Sequence, residues 1–139
     1  MGDDRDFLYP NVTYRIRAAI FKVRNNLGSV FKESVYQKAL EKELNKQKLE
    51  FKSQPTVNII YDGGVNVGVY RPDLVVEEKV LIEIKVKPFL TKHDEKQLWY
   101  YLKATEYKIA ILVNFGGAKL EIKRWVYDKA RKKNPRKSA

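Results

Sequence analysis

Three ionisable residues lie next to or within two strongly apolar segments of the sequence. Asp73 precedes the run Leu74–Val76, and Glu83 and Lys85 lie within the segment Val80–Val86. Because side chains alternate between the faces of a strand, Glu83 and Lys85 would emerge together on one face. Charged groups enter such segments mainly when they are paired, bind a metal or take part in a reaction. Two clustered carboxylates would repel each other, and a hard cation such as Mg²⁺ or Mn²⁺ would relieve that repulsion.

An acid two residues before a lysine occurs six times in the chain, so the tripeptide alone identifies no site. The strongest rival is Glu121-Ile122-Lys123, which also lies in a segment typical of a strand. This rival has no acid on a neighbouring upstream strand, and the basic residues around it are typical of a solvated sheet edge. The context therefore favours Glu83 over Glu121.

Length and composition limit the possible classes of protein. The 139 residues suffice for one domain, and 28 Lys and Arg against 17 Asp and Glu give a net charge of +11. This charge predicts a polyanionic partner, with nucleic acid ahead of an anionic membrane surface. The absence of cysteine excludes disulfides and cysteine-ligated zinc, and the single His93 excludes a multi-histidine metal site within one chain. With no membrane-spanning run and no signal-like start, we expect a cytoplasmic protein without a membrane partner.

Hydrophobic periodicity and turn signals predict an alternation of helices and strands. Thr91 with Asp94 is typical of a capping box that begins a helix, and Asp62-Gly63-Gly64 is typical of a hairpin turn. This order of elements predicts an α/β fold, a mixed sheet flanked by helices, in a single domain of residues 1–127. The predicted helices are 11–27, about 31–48 and about 91–104, and the predicted strands are 57–61, 65–69, 73–76, 80–86, 107–113 and 119–127.

Two of the predicted helices bring further polar side chains toward the same region. Glu33 precedes Tyr36 and Leu40 by one and two helical turns, which places it on the inward face of the second helix. Gln97 and Tyr101 are four residues apart, so they share a face of the third helix and can hydrogen-bond to phosphate oxygens or a carboxylate. The candidate catalytic residues are therefore Glu33, Asp73, Glu83, Lys85, Gln97 and Tyr101.

Each of these residues also has a purely structural interpretation. Glu33 can simply stabilise the N-terminal end of a helix, and Lys85 can be an ordinary ion-pair partner of Glu83. Gln97 and Tyr101 can be ordinary surface and core residues of the third helix. The sequence pattern alone leaves both interpretations open.

Several short motifs occur in a characteristic order over about residues 12–126. They are Leu27-Gly28, Glu33-Ser34-Val35-Tyr36, Asp73, Glu83-Ile84-Lys85, Gln97-x-x-x-Tyr101-Leu102 and Asn114-Phe115-Gly116. With these motifs in this order, the chain resembles the GxxExxY proteins of the PD-(D/E)XK nuclease superfamily. The chain departs from the family pattern at Val30, where the family has a glycine three residues before the glutamate.

The resemblance implies a mixed four-stranded sheet flanked by helices, and it implies roles for the candidate residues. Lys85 would position or activate the attacking water and help to neutralise the transition state. Gln97-x-x-x-Tyr101 is similar to the motif of the exonuclease-type branch of the superfamily, where it orients the substrate or active-site groups. The metal ligands implied for Mg²⁺ are Asp73, Glu83, the backbone carbonyl of Ile84 and, directly or through water, Glu33.

The end of the chain differs in composition from the rest. Residues 128–139 contain six basic residues and one acidic residue, without apolar periodicity. This composition predicts a flexible basic tail that contacts phosphates. The candidate nucleic-acid-binding residues are Lys129, Arg131, Lys132, Lys133, Arg136 and Lys137.

These features predict a Mg²⁺- or Mn²⁺-dependent nuclease that hydrolyses phosphodiester bonds, with DNA as the expected substrate. Two alternatives remain: an inactive nuclease-like fold that binds nucleic acid or a protein, and a structural subunit whose basic face contacts RNA. Asp73, Glu83 and Lys85 favour catalysis, because a protein that only binds polyanions has no use for clustered acids. A small nuclease that cuts two strands could act as a homodimer.

Overall fold

The computed structural model describes residues 9–128 of the chain. The candidate nucleic-acid-binding residues of the predicted tail, from Lys129 to Lys137, lie outside the described residues. The described part contains helices α1 (Pro10–Leu27), α2 (Glu33–Lys46) and α3 (Lys92–Lys103), which confirm the three predicted helices. No helix in this part of the chain is long and apolar enough to cross a membrane.

The strands form a mixed sheet and a separate hairpin. The main sheet has the order β1-β4-β5-β6-β7, in which β5 and β6 are parallel and all other neighbours are antiparallel. The predicted α/β fold with a mixed sheet flanked by helices is therefore confirmed. The strands are β1 (Phe51–Ser53), β2 (Val57–Tyr61), β3 (Val65–Tyr70), β4 (Leu74–Val76), β5 (Val80–Lys85), β6 (Ile109–Asn114) and β7 (Glu121–Val126).

Two features of the sheet differ from the sequence-based expectation. The expected four-stranded sheet has a fifth strand, β1, which pairs with β4 through residues 51–53. This strand has three residues and little apolar character, so its extended form depends on pairing with β4 rather than on local pattern. The predicted hairpin β2–β3 forms, but it is a two-stranded sheet of its own and not part of a continuous meander.

Hydrophobic residues on the two faces of the sheet form two separate clusters. Val80, Ile82 and Ile84 of β5 pack into the cluster that contains α1 and α2. Leu81 packs on the opposite face, in the cluster that contains α3 and the end of β3. Because side chains alternate along a strand, Glu83 follows Leu81 onto the α3 face, opposite Ile82 and Ile84.

The loop between α1 and α2 is closed by an aromatic residue of α2. The Tyr36 hydroxyl donates to the carbonyl of Gly28 at 2.6 Å, and the Tyr36 ring stacks on Phe115 at 4.5 Å between centroids. Gly28 has φ of +72°, a conformation that favours glycine after the helix ends. These contacts fix where α2 begins and therefore where Glu33, its first residue, is held.

Candidate active site

The register between β4 and β5 brings the two central carboxylates together. Leu74 lies opposite Ile82 in this antiparallel pair, so the next step places Asp73 opposite Glu83. Both side chains lie on the face that α3 covers, because Asp73 and Val75 share a face of the chain. The Asp73 carboxylate is near enough to Glu83 to raise the pKa of the Glu83 carboxyl group. The structure therefore assembles the pair of acids that the sequence predicted.

Pro72 ends the strand ladder at this point. The same register places Pro72 opposite Ile84, and proline has no N–H to donate to the Ile84 carbonyl. The Ile84 N–H donates instead to Asp73 Oδ2 at 2.7 Å. Because the N–H and C=O of one antiparallel-strand residue point to the same side, the Ile84 carbonyl also faces the side of Asp73. Because Pro72 cannot pair with Ile84 in the ladder, the N–H and the carbonyl of Ile84 both face Asp73.

The electrostatics of Glu83 are those of a crowded, half-buried acid. Burial and the nearby Asp73 carboxylate raise the pKa of Glu83 to about 8, although the Tyr70 hydroxyl and Lys85 oppose the shift. Near neutral pH and without a cation, Glu83 is therefore mostly protonated. The raised pKa is the effect expected from the repulsion between two clustered acids.

A cavity of about 290 Å³ lies between β5, the end of β3 and α3. Four of the six predicted catalytic residues line it: Glu83, Lys85, Gln97 and Tyr101. Asp73 and Glu33 are not among the residues that line the cavity, although Asp73 lies opposite Glu83, which does line it. The other lining residues are Val69, Tyr70, Arg71, Asp94, Leu98 and Leu112.

Lys85 does not behave as a structural ion-pair partner. Within residues 9–128 its ammonium group forms no salt bridge, not even with Glu83 two residues away. Lys85 is half-buried and faces the cavity. Its charge lowers the pKa of both Glu83 and Glu33 without a direct contact. The ammonium group is thus available to a ligand in the cavity.

Glu33 lies at the start of α2 and is solvent-exposed, unlike the fully buried Tyr36 and Leu40 that follow it on the same helical stripe. Its predicted inward position therefore applies only in part. Desolvation and the Asp73 carboxylate raise the pKa of Glu33, whereas Lys85 lowers it. Glu33 is therefore within electrostatic reach of the acid pair, at the outer side of the site.

Two residues of the site are absent from the sequence-based set. Tyr70 is 6% exposed, its hydroxyl donates to Glu83 Oε2, and its ring stacks on Tyr101. Arg71 is exposed, lines the cavity and forms no ion pair within the described residues. The predicted strand ended at Val69, one residue too early.

The start of α3 is held by the predicted capping box. Asp94 N donates to Thr91 Oγ1, while Asp94 Oδ2 accepts from Thr91 N at 2.9 Å. Lys87 Nζ also donates to Asp94 Oδ2 at 2.7 Å. Burial opposes ionisation of Asp94, but these bonds outweigh it and lower its pKa to about 2. The box therefore fixes the helix that presents Gln97 and Tyr101 to the cavity.

The rival motif and the Asn114-Phe115-Gly116 segment have structural roles. The buried Asn114 amide donates to Lys87 O at 2.9 Å and to Glu121 Oε2 at 2.8 Å. Glu121 Oε2 also accepts from Leu90 N at 3.1 Å. A Cβ atom on Gly116 would lie 2.5 Å from the Lys87 nitrogen, so only glycine fits there. These residues hold the loop between β5 and α3.

The donor set at the acid pair fits a hard divalent cation. Within residues 9–128, no group of three or more His, Cys, Asp or Glu side chains is arranged so that it could hold a metal ion. Mg²⁺, however, is commonly bound by one or two carboxylates and keeps several waters. Asp73 and Glu83 would supply two neighbouring carboxylates to such a cation, and the Ile84 carbonyl would add a neutral oxygen.

Comparisons with known proteins agree with this fold. The sequence model of the PD-(D/E)XK nuclease superfamily matches residues 10–125. The crystal structure of SSO0001 is 23% identical, with a TM-score of 0.50, and the match covers 70% of this chain and 52% of that one. An alkaline exonuclease from Laribacter hongkongensis is 13% identical, with a TM-score of 0.40 over 70% of this chain and 57% of that one. No curated protein sequence matches the chain.

The chain spans little more than half the length of these two solved proteins. At 23% identity, the likeness to SSO0001 concerns the fold alone. The superfamily match is broader, because it runs from the first residue of α1 into β7. It contains both carboxylates of the acid pair, Lys85 and the helix that covers them. Nucleases of this superfamily generally use divalent metal ions. The chain therefore belongs to the PD-(D/E)XK nuclease superfamily.

Proposed function

We propose that the chain is a divalent-metal-dependent nuclease of the GxxExxY type that hydrolyses phosphodiester bonds in DNA. The observation that carries the proposal is the meeting of Asp73 and Glu83 beside a cavity lined by the unpaired Lys85. Superfamily membership alone would not carry it, because a fold can persist in proteins that only bind. A binding protein gains nothing from an acid pair that raises the pKa of Glu83 to about 8 within a chain of net charge +11.

The proposed cation is Mg²⁺ or Mn²⁺, because both prefer oxygen ligands. When bound, the cation supplies positive charge that stabilises the transition state and promotes ionisation of the attacking water. Asp73 would be held for this task by its bond from Ile84 N–H, and Glu83 by the Tyr70 hydroxyl. The residues that would hold the cation are Asp73, Glu83, the Ile84 carbonyl and, directly or through water, Glu33.

The other proposed catalytic residues act directly on the phosphodiester. Lys85 has no competing carboxylate within ion-pair distance in the described residues, so its ammonium group can donate to a phosphate oxygen that gains negative charge. Gln97 and Tyr101 present an amide and a hydroxyl from one face of α3 to the same cavity and would orient the phosphate. Arg71 adds a second cationic side chain to the cavity wall.

The substrate part of the proposal rests on charge. A net charge of +11 favours a polyanion, and the basic residues from Lys129 to Lys137 would add phosphate contacts outside the catalytic cavity. Cleavage of both strands of a duplex would need two sites, which a homodimer would supply. We expect this activity in the cytoplasm.

The proposal is tested by incubating the purified chain with labelled single-stranded, duplex and branched DNA, with Mn²⁺ or with EDTA. We expect cleavage only with the cation, and none by Asp73→Asn, which keeps the size of the side chain but loses its charge. Titration calorimetry should show Mn²⁺ binding that is lost in the same variant. Binding of DNA without cleavage under any of these conditions would instead favour the inactive, nucleic-acid-binding alternative.

A further inference from the structure

We propose that Tyr70 is a positioning residue, which holds the Glu83 carboxylate in the orientation that binds the cation, and that Tyr101 acts through Tyr70. This inference rests on the proposed metal-dependent function. It goes beyond that function by assigning a task to a residue outside the acid pair and its lysine. It also gives Tyr101 a second task besides contact with the substrate.

The position of the Tyr70 hydroxyl is determined by packing. Tyr70 is the last residue of β3, and its side chain is 6% exposed. Its ring lies nearly parallel to that of Tyr101, with 3.7 Å between centroids and 5° between planes. A tyrosine side chain has few rotatable bonds, so a ring held on one face cannot swing its hydroxyl far. The hydroxyl is therefore a fixed donor.

That donor meets Glu83 at a single oxygen. The Tyr70 hydroxyl donates to Glu83 Oε2, which leaves the second carboxylate oxygen of Glu83 for other partners. A tyrosine hydroxyl carries its proton at neutral pH, so it can donate to the carboxylate oxygen that it contacts. Asp73 is held in a similar way by the Ile84 N–H. Each acid of the pair thus has one donor that orients it.

Orientation matters because an unrestrained glutamate has other partners in this site. Glu83 lines the same cavity as Lys85 and Arg71. Rotation of the Glu83 side chain toward either of these basic side chains would move its carboxylate away from Asp73. Residues that hydrogen-bond to a ligating group restrict that rotation, and their loss typically weakens metal binding roughly 10-fold to 100-fold. Tyr70 is in the right place for this effect, and Tyr101 supports Tyr70 from α3.

The test separates the hydroxyl from the ring. Tyr70→Phe keeps the stacked ring and its burial but removes the donor. Titration calorimetry of the full chain should show Mn²⁺ binding weakened by about 10-fold or more, with an unchanged cooperative unfolding transition and unchanged DNA binding in EDTA. Tyr107→Phe is the matched control, because Tyr107 packs against the same hydrophobic cluster but does not line the cavity. That control should bind Mn²⁺ as the unmodified chain does.

Two variants of Tyr101 test the support of Tyr70. Tyr101→Phe keeps the stack and should bind Mn²⁺ normally, whereas Tyr101→Leu removes the stack and should weaken Mn²⁺ binding, though less than Tyr70→Phe does. Unchanged Mn²⁺ affinity in Tyr70→Phe would overturn the inference and leave the proposed function intact. Loss of cooperative unfolding in Tyr70→Phe would also overturn it, because Tyr70 would then be structural. Absence of Mn²⁺ binding by the unmodified chain would overturn the proposed function itself.

Discussion

The tripeptide Glu-Ile-Lys occurs twice in one sheet, at residues 83–85 in β5 and at residues 121–123 in β7. The two copies lie on either side of β6 and run in opposite directions. Glu83 and Lys123 both pair with Leu112, and Lys85 and Glu121 both pair with Asn114. The local sequence is identical and the distance between the copies is small, so any difference between them comes from their neighbours.

The neighbours give the two glutamates opposite properties. Glu83 lies opposite a second acid, Asp73, which immediately precedes β4 and helps to raise the pKa of Glu83 to about 8. Glu121 lies on the last strand of the sheet and accepts bonds from the Asn114 amide and the Leu90 N–H. Glu83 is crowded by a second carboxylate and is a proposed ligand of the cation, whereas Glu121 accepts bonds from two donors of the protein. A Glu-Ile-Lys tripeptide is therefore a candidate catalytic motif only when the chain beside it supplies a second acid.

The two lysines differ in the same way. Lys123 is exposed, and its Nζ lies 3.9 Å from Glu95 Oε2, an arrangement typical of a weak surface ion pair. Lys85 lines the cavity without an ion pair in the described part of the chain. Each of the two tripeptides thus serves as a control for the other in the experiments below.

The largest expected difference is in cleavage by the two glutamate variants. Glu83→Gln should reduce DNA cleavage to background, because it removes the charge of one of the two paired carboxylates proposed to hold the cation. Glu121→Gln, the same chemical change on the other tripeptide, should cleave within a few-fold of the unmodified chain. A cleavage assay with Mn²⁺ and labelled DNA measures both. Equal losses in the two variants would remove the contrast between the tripeptides.

The two lysines should also differ in cleavage, by a smaller factor. Lys85→Ala should lower kcat by about 10²-fold to 10³-fold, as expected when one donor to a developing charge is removed. Lys123→Ala should leave kcat nearly unchanged. Both variants should bind DNA within a few-fold of the unmodified chain, because one lysine contributes little to an interface with many phosphates. Single-turnover kinetics and a binding titration separate the two effects, and an unchanged kcat in Lys85→Ala would exclude Lys85 from the mechanism.

The third expected difference is in how stability depends on pH without a cation. The pKa of Glu83 in the folded chain, about 8, is above its ordinary value of 4.5, so the folded state binds this proton more tightly than the unfolded state. The contribution of Glu83 is therefore fully present below about pH 4.5 and is lost as the pH rises toward 8. Between about pH 5 and pH 8 in EDTA, the free energy of unfolding should fall by up to about 4 kcal/mol more in the unmodified chain than in Glu83→Gln.

Urea unfolding at several pH values measures this difference. Glu121→Gln should follow the unmodified chain, since it leaves Glu83 and Asp73 in place. Mn²⁺ should restore stability at the higher pH, because a cation that binds only the folded state stabilises it by mass action. A Glu83→Gln variant with the same pH dependence as the unmodified chain would mean that the pKa of Glu83 is not raised in the folded chain.

The smallest expected effect is on stability alone. Glu121→Ala removes an acceptor of bonds from Leu90 and Asn114 and should lower the free energy of unfolding by about 1–3 kcal/mol. Lys123→Ala removes only an exposed ion pair and should cost about 0–1 kcal/mol. Urea unfolding near neutral pH compares the two. An equal, negligible cost in both would mean that Glu121 does not hold the loop before α3.

Much of the fold follows from local patterns of the sequence. The three helices, the hairpin turn at Asp62-Gly63-Gly64 and the capping box of Thr91 and Asp94 are all present. The strand β1 could not be predicted in this way, because three residues with one large apolar side chain carry no period. The separation of the β2–β3 hairpin from the main sheet was equally inaccessible, since it depends on which strands meet across the chain.

The candidate site follows the same division. Alternation along β5 placed Glu83 and Lys85 on one face, and the spacing in α3 placed Gln97 and Tyr101 together. Tyr70 was missed because its importance comes from two contacts distant in sequence, with Glu83 and with Tyr101. No local pattern marks a tyrosine at the end of a strand as the partner of an acid thirteen residues away.

The sequence by itself determined the types of element, the faces on which the charged side chains emerge and the net charge of +11. These properties depend on helical and strand periods and on composition, which are local. Only the tertiary structure decided which Glu-Ile-Lys lies beside a second acid. The register of β4 against β5 places Asp73 opposite Glu83. The order of strands places β7 at the far edge of the sheet, away from Asp73. The pKa of Glu83 follows from those contacts, since burial and a neighbouring charge are properties of the folded chain.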